Sequence, residues 1–534
     1  MKLRYGLTRC GLAALLFAAC LSGLPVESAA QLLFDQAFTE SNDVRLAVTN
    51  YGIIGLDVRN SNPGGLWRRS ADHPGAYMHG AGVWFAALVN NGDLLEKRVF
   101  VSYNDVSGNS WAAPGDVSDG PNVLDNSAAI TKYRVINSRD YDAEGQHMDG
   151  QSPGWPLWDN GEGEVGSKTG NLGRYVSDIN DRNTEMQGVG PAYVSDEDVV
   201  CRYKDTDVNL YEGGAANARP IGLQIEQAVY SWNEPACQDF VLVRYDITNV
   251  SGEDLYECFF GHVGDYDIGD PTVSSVPAGS NDNLGNFKEL RVRRMVALWS
   301  EDMADVQDEE YGYCGVALMQ SPSVDADNFI IADADPTDLE SQIGLQTVRS
   351  FFIQNTPSTT EERYDFISSR VYDGDIHARD VRVLLGSGPF NLRAGETARF
   401  VVGIFFAPSV GESPDGTLAD MVNLVATVDN GYEKWRGGVV SGVDHADAAD
   451  FGLQLNPNPV GDQLNIVFNT ETPGAETTIE ILDLTGRTLL TQEVRATSQQ
   501  DNVSLTLDDL AAGSYFCRLS SGGRQQTAGF VVVR

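Results

Sequence analysis

The sequence predicts an all-β protein: one or two large β-sandwich domains, then a smaller seven-stranded sandwich of immunoglobulin type, with one helix near residues 415–435. Three observations support this prediction. Short runs of β-branched and aromatic residues recur along the chain. The 55 glycines and 21 prolines fit many short strands joined by frequent turns. Helical spacing of apolar residues is clear in one segment only.

The clearest strands come in two pairs separated by turn signals. Residues 240–249 end in the turn signal of residues 249–252, and the strand pattern resumes at 255–260. Residues 381–385 lead through a turn at Gly395, which tolerates positive φ, into 398–406. We predict a hairpin for each pair. Further strand candidates are residues 44–49, 82–89, 98–103, 221–232, 293–299 and 314–320.

The predicted helix follows Asp415 and Gly416, which could cap it. Its apolar residues recur at helical spacing: Leu418, Met421, Val422, Val425, Val428 and Tyr432. A helix with one apolar face packs against other structure, so we expect it at the edge or on the face of a sheet.

Residues 1–30 have the layout of a cleavable secretory signal. Lys2, Arg4 and Arg9 precede an apolar run at 10–24, and small residues lead up to Gln31. The run is short for a bilayer, and no later segment reaches the roughly 20 apolar residues that a membrane-spanning helix needs. We therefore expect no transmembrane segment, and residues 1–30 are left out of the fold.

The charge balance excludes one class of partner. The chain has 76 acidic against 37 Lys and Arg residues, a formal net charge of −39. Such a surface repels nucleic acid and anionic lipid. Two explanations of the acidity stay open, namely a saline habitat for the overall charge and calcium sites for particular clusters.

The cysteines argue against a disulfide scaffold or a zinc ribbon. After residue 30 the chain keeps an odd number, with no CxxC pair: Cys201, Cys237, Cys258, Cys314 and Cys517. We expect most of them to be small buried residues, with room for a single bridge among the central four.

Apolar periodicity stops after Trp435, and we place the main domain boundary there. The predicted organisation is a signal at 1–30, a β-rich body at 31–440 that could divide near 215, a linker at 441–451 and a C-terminal unit at 452–534. We call this last unit the tail. Its short alternating runs, separated by turn signals, suit the seven-stranded sandwich.

Three motifs in the tail carry a family resemblance. They are the NPNP segment with Pro457, Asn458 and Pro459; the DLTGR segment with Asp483, Gly486 and Arg487; and the late GSY segment with Gly513 and Tyr515. In this order at the end of the chain, they resemble the type A C-terminal sorting domain of the type IX secretion system of Gram-negative bacteria.

The resemblance implies an export route and a final location for the protein. Members of that family are recognised by the type IX machinery, and their tail is usually removed as the cargo is attached to surface lipopolysaccharide. Blocks of the body at 80–87, 220–226, 264–270 and 388–392 resemble large cargo proteins of the same system with no established activity. An extracellular or outer-membrane surface location follows as an expectation.

Acidic clusters are the candidate metal sites. Asp265, Asp267 and Asp270 follow a predicted strand, and alternate spacing with a turn at Gly269 would bring them together. Calcium takes such oxygen ligands, so we predict a calcium site there. Other clusters are weaker candidates: residues 196–207 with five carboxylates, Asp178 with Asp181 and Glu185, residues 302–309, and Asp373 with Asp375 and Asp380.

No catalytic signature is present among the zinc-protease, nucleophile-elbow and phosphate-loop motifs. Trp155 and Trp158 lie in a Gly- and Pro-containing segment and could stack on sugar rings, although packing of the segment against a sheet is the commoner use of such residues. The leading hypothesis is an exported structural or adhesive surface protein. The alternative is a secreted glycan-binding protein or a hydrolase of extracellular polymers.

Overall fold

We describe the fold from a computed structural model. It describes residues 34–68, 75–92, 94–103, 110–117, 134–142, 144–150, 155, 158–159, 165–166, 193–211, 219–269, 282–285, 288–300, 312–332, 334–335, 338–376, 380–410, 414–435, 453–457, 460–469, 476–482, 488–495, 500–507, 510–511, 513–521 and 524–532.

The body is built around one antiparallel sheet of nine strands, called here the large sheet. Its spatial order is Ile136–Asn137, Glu197–Asp205, Leu223–Ser231, Phe240–Asn249, Thr397–Ala407, Tyr313–Gln320, Met295–Ser300 and Asp282–Gly285, with Ala113–Pro114 also paired to Glu197–Asp205.

A five-stranded antiparallel sheet contributes to the same hydrophobic core as one face of the large sheet. Its order is Thr347–Phe351, Arg382–Leu392, Leu255–Asp265, Gly80–Asn90 and Leu95–Val101. A four-stranded sheet joins this core and runs Gln36–Phe38, Val44–Thr49, Gly65–Trp67 and Gly75–Met78. Two short pairs complete the body: Leu56–Asp57 with Asn62–Pro63, and Trp158–Asp159 with Val165–Gly166.

Both faces of the large sheet are buried. In the strand Thr397–Ala407, Phe400 points to the five-stranded sheet and stacks on Phe260 with ring centroids 4.2 Å apart. The alternate residues Val401 and Phe405 belong instead to the cluster that packs under the body helix Val422–Trp435. A strand buried on both sides needs apolar residues on both faces, which accounts for the unbroken apolar run at residues 400–407.

The two predicted hairpins are wrong, although all four strands exist. Phe240–Asn249 pairs with Thr397–Ala407 in the large sheet, and Leu255–Asp265 pairs with Arg382–Leu392 in the five-stranded sheet. Each turn therefore carries the chain from one sheet to the other. The turns meet at Asn249, whose backbone N–H donates to the carbonyl of Glu396 at 3.0 Å and whose carbonyl accepts from the N–H of Gly395 at 2.8 Å.

The predicted helix is present, but it begins at Val422 rather than directly after Gly416. The intervening residues form turns, because the Asp415 carboxylate accepts from the N–H of Thr417 and the Thr417 hydroxyl accepts from the N–H of Asp420.

Sequence reasoning missed two other helices, Lys288–Val292 and Thr360–Ile367. The second starts with a capping box, in which the Thr359 hydroxyl accepts from the N–H of Glu362 and the Glu362 carboxylate accepts from the N–H of Thr359. This Thr-x-x-Glu pattern is readable in the sequence.

A row of ion pairs crosses the large sheet. Arg202, Glu226, Asp246 and Arg399 are register partners on four neighbouring strands. Arg202 lies 3.1 Å from Glu226, and Arg399 holds Asp246 with two hydrogen bonds of 2.6 and 2.8 Å. Arg244, next to the row, contacts both carboxylates. Glu226, Asp246 and Arg244 are nearly inaccessible to water, so each charge needs its neighbours.

The tail forms two antiparallel sheets around its own core. One has the order Gln454–Asn456, Gln463–Asn469 and Gln500–Thr506; the other runs Thr488–Arg495, Glu476–Leu482, Gly513–Ser521 and Arg524–Val532. The tail therefore has the predicted seven strands in two sheets. Together with the sheets of the body, it confirms the predicted all-β class.

We predict that Asp246→Ala lowers the free energy of unfolding of the body by about 3–5 kcal/mol, because it removes the carboxylate between the buried Arg244 and Arg399. Urea denaturation measures the change. Asp327→Ala, in an exposed loop, is the matched control and should cost less than about 0.5 kcal/mol. Equal effects of the two substitutions would show that the row contributes nothing specific.

Candidate functional site

Strand pairing assembles an acidic cluster at the end of the five-stranded sheet. Asp265 ends its strand and is the register partner of Arg382, which places Asp380 beside Asp267. One ligand oxygen from each of Asp265, Asp267 and Asp380 lies within 4.8 Å of the others. Asp270, the third predicted calcium ligand, lies outside the described residues.

Positive charge already faces this cluster. Arg382 Nη2 is 2.7 Å from Asp265 Oδ2, and the guanidinium also contacts Asp380. His79 Nδ1 is 3.7 Å from Asp267 Oδ2. Burial raises the pKa of Asp267 and Asp380 acts in the same direction, while His79 and Arg382 oppose them. Arg382 thus contacts Asp265 and Asp380, while Asp267 faces His79.

The carboxylates at 196–207 do not converge on one point. Asp198 accepts hydrogen bonds from the N–H and hydroxyl of Ser195, and Asp205 accepts one from the N–H of Ile221 at 2.7 Å. Burial raises the pKa of Asp198 to about 6 and that of Asp205 to about 7. Asp198 thus holds the residues just before its own strand, and Asp205 holds the residues that lead into the strand Leu223–Ser231. The clusters at 178–185 and 302–309 lie outside the described residues.

Trp155 does not fit the glycan contact that the sequence suggested. Its side chain is fully buried, with the ring of Tyr141 edge-on at 5.3 Å and that of Tyr193 tilted at 5.1 Å. A sugar ring needs an open aromatic face, and these neighbours occupy that space. The side chain of Trp158 lies outside the described residues.

A buried histidine was missed by sequence reasoning. His262 lies in the strand Leu255–Asp265 with no exposed surface, and its Nε2 is 3.0 Å from the hydroxyl of Tyr266. Among the residues that the structure describes, its Nδ1 has no hydrogen-bond partner. Burial lowers the pKa of His262 to about 4, so the ring is neutral at pH 7. The position of His262 within an apolar run of the sequence could have indicated that its side chain is buried.

The five cysteines after residue 30, all of which the structure describes, are buried, and none is in a disulfide. Burial raises the thiol pKa of Cys237 and of Cys517 to about 12, which keeps both thiols protonated.

The tail motifs occupy turns and strand starts where the structure describes them. Pro457 directly follows the strand Gln454–Asn456. Gly513 begins the strand Gly513–Ser521, and the Tyr515 hydroxyl donates to the carbonyl of Ala511 at 2.9 Å. Asn458, Pro459, Asp483, Gly486 and Arg487 lie outside the described residues.

A family model decides what the tail is. Residues 454–533 match the secretion system C-terminal sorting domain. The chain is a cargo protein of the type IX secretion system. The tail thus directs it to the cell surface or the extracellular space through the type IX machinery. In the described part of this cargo protein, no helix has the length and apolar character to span a membrane.

Solved structures that align with the body are too dissimilar to support any conclusion about it. No curated protein matches the chain. A polysaccharide lyase is 10% identical with a TM-score of 0.19, over 73% of this chain and 42% of that one. The dimeric latent PorU of Porphyromonas gingivalis is 11% identical with a TM-score of 0.14, over 55% and 31%. The BSP domain of a biofilm-associated protein is 10% identical with a TM-score of 0.14, over 94% and 80%. The cargo protein thus spans less than half the length of the first two.

We predict that His262 weakens the fold in acid. Its folded pKa of about 4 lies below the ordinary value of 6.5, so its stabilising contribution is full above pH 6.5 and is lost as the pH falls toward 4. Urea denaturation at pH 7 and pH 4.5 measures this. His262→Gln should lose roughly 2 kcal/mol less than the parent over that interval. Identical losses in both proteins would mean that His262 is not buried as a neutral ring.

Proposed function

We propose that the exported body is a structural or adhesive component of the cell surface or its surroundings. The observation that carries this is how the body uses its charged side chains. Glu226 and Asp246 are enclosed by three arginines within the large sheet, and Asp198 and Asp205 accept hydrogen bonds from the backbone beside the strand ends. These groups reinforce a scaffold, whereas a catalytic acid or base must reach a substrate.

The partner of such a scaffold would lie outside the cell. With a net charge of −39, the surface suits partners that are cationic, neutral or bridged by divalent cations. After removal of the tail, attachment to surface lipopolysaccharide would display the body on the cell that exports it. An extracellular glycan or protein would then be the adhesive target.

One cavity bears on the second candidate, glycan binding or hydrolysis. A cavity of about 70 Å³ lies beside Arg399, between the end of the strand Tyr313–Gln320 and the segment 321–342. Its wall combines Gln320, Asp335 and Gln342 with apolar residues. Paired donors and acceptors beside an apolar wall suit a small polar group, but the volume is far below that of typical ligand pockets.

Adhesion is tested in the native host by gene deletion. We expect the deletion strain to attach less well to surfaces and to neighbouring cells, and the full chain to restore attachment. The control carries the signal and the tail on an unrelated fluorescent carrier, which is exported without the body and should restore nothing. The proposal is wrong if attachment is unchanged and the purified full chain hydrolyses members of a polysaccharide or peptide panel.

We also propose that calcium binds at Asp265, Asp267 and Asp380. Three carboxylates so close together repel one another, and the Arg382 guanidinium offsets only part of that charge. Oxygen ligands at this spacing are the kind that calcium prefers. Bound calcium would tie the end of one strand to the segment before its neighbour.

The calcium proposal predicts a rise in melting temperature when millimolar calcium is added to chelator-treated protein, because a ligand that binds only the folded state stabilises it. Asp267→Asn should abolish most of that rise. Asp327→Asn removes one charge from an exposed loop and should leave the rise unchanged. Equal rises in all three proteins would mean that calcium binds elsewhere, and no rise in any of them would mean that the cluster binds no calcium.

A further inference from the structure

The outer face of one tail sheet carries an apolar pair. In the strands Glu476–Leu482 and Gly513–Ser521, Ile481 and Cys517 point into the tail core. Because side chains alternate along a strand, Leu482 and Phe516 point outward. They are register partners, so they lie next to each other on that outer face.

This outward pair is nevertheless buried. Leu482 is 6% exposed and Phe516 is 9% exposed. Neither contributes to the hydrophobic core of the tail; both belong to the body cluster on the helix side of the large sheet, which includes Tyr230 and Val428. The body therefore covers this part of the tail.

A polar pair lies next to these two side chains on the same face. Directly beside the apolar pair, Glu480 and Arg518 are also register partners and form an ion pair of 2.8 Å, with 19% and 29% of their side chains exposed. Among the described residues, 13 others form the buried core of the tail, and Leu482 and Phe516 are not part of it. The burial of these two apolar side chains is thus explained by docking and not by the core of the tail.

We propose that Leu482 and Phe516 hold the sorting tail against the body, and that this contact opens when the secretion machinery engages the tail. Specific, stable interfaces involve about 20–30 residues on each side, so a contact centred on two side chains is weak enough to open. While closed, it hides the adjacent tail face and shields the apolar body cluster from water. The inference does not depend on an adhesive role for the body.

Small-angle scattering of the purified full chain tests the docking. The test variant is Leu482→Ser with Phe516→Ser, and the matched control is Glu480→Gln with Arg518→Gln on the same face. We expect the parent and the control to share one maximum dimension and the test variant to show a larger one. A separate melting transition of the tail, retained in the test variant, would show that the tail is still folded. Equal dimensions for all three proteins would overturn the docking.

Export in the native host tests the opening. Pulse-labelled test variant should reach the surface or medium at least as fast as the parent and the control, because its tail face is already free. Slower export of the test variant alone, with its tail folded, would overturn the gating role, since the pair would then be part of what the machinery recognises.

Discussion

The burial of the large sheet on both faces is the constraint on which the rest of the body depends. In the strand Thr397–Ala407, one set of side chains packs against the five-stranded sheet and the other lies under the body helix. Residues 400–407 of this strand are all buried and all apolar apart from one glycine. The charged residues at its end are therefore paired across strands, with Asp246 shared between Arg244 and Arg399.

The sequence predicted the strands and the body helix better than it predicted which strands pair with each other. The strands around 240–249 and 398–406, the body helix and the seven tail strands follow from local periodicity, which the sequence displays directly. The hairpins failed because a turn signal shows that the chain reverses, not which sheet it enters next. The sequence could not predict that Asp380 lies close to Asp265, because this depends on pairing between strands more than 100 residues apart.

The two parts of the chain differ in what they reveal. The tail has a self-sufficient core and a recognised address, so it accounts for where the protein goes. The buried acidic groups of the body form ion pairs and accept backbone hydrogen bonds, which fits a scaffold that holds its shape outside the cell. Leu482 and Phe516 would connect the two parts by holding the sorting tail against the body until export.

The central claim is export by the type IX route followed by removal of the tail. Terminal mass spectrometry of the protein recovered from the cell surface and the medium of its native host tests it most directly. The account predicts a chain that starts near Gln31, ends near residue 450 and carries a glycolipid. An intact C-terminus at Arg534 on a periplasmic species would contradict it.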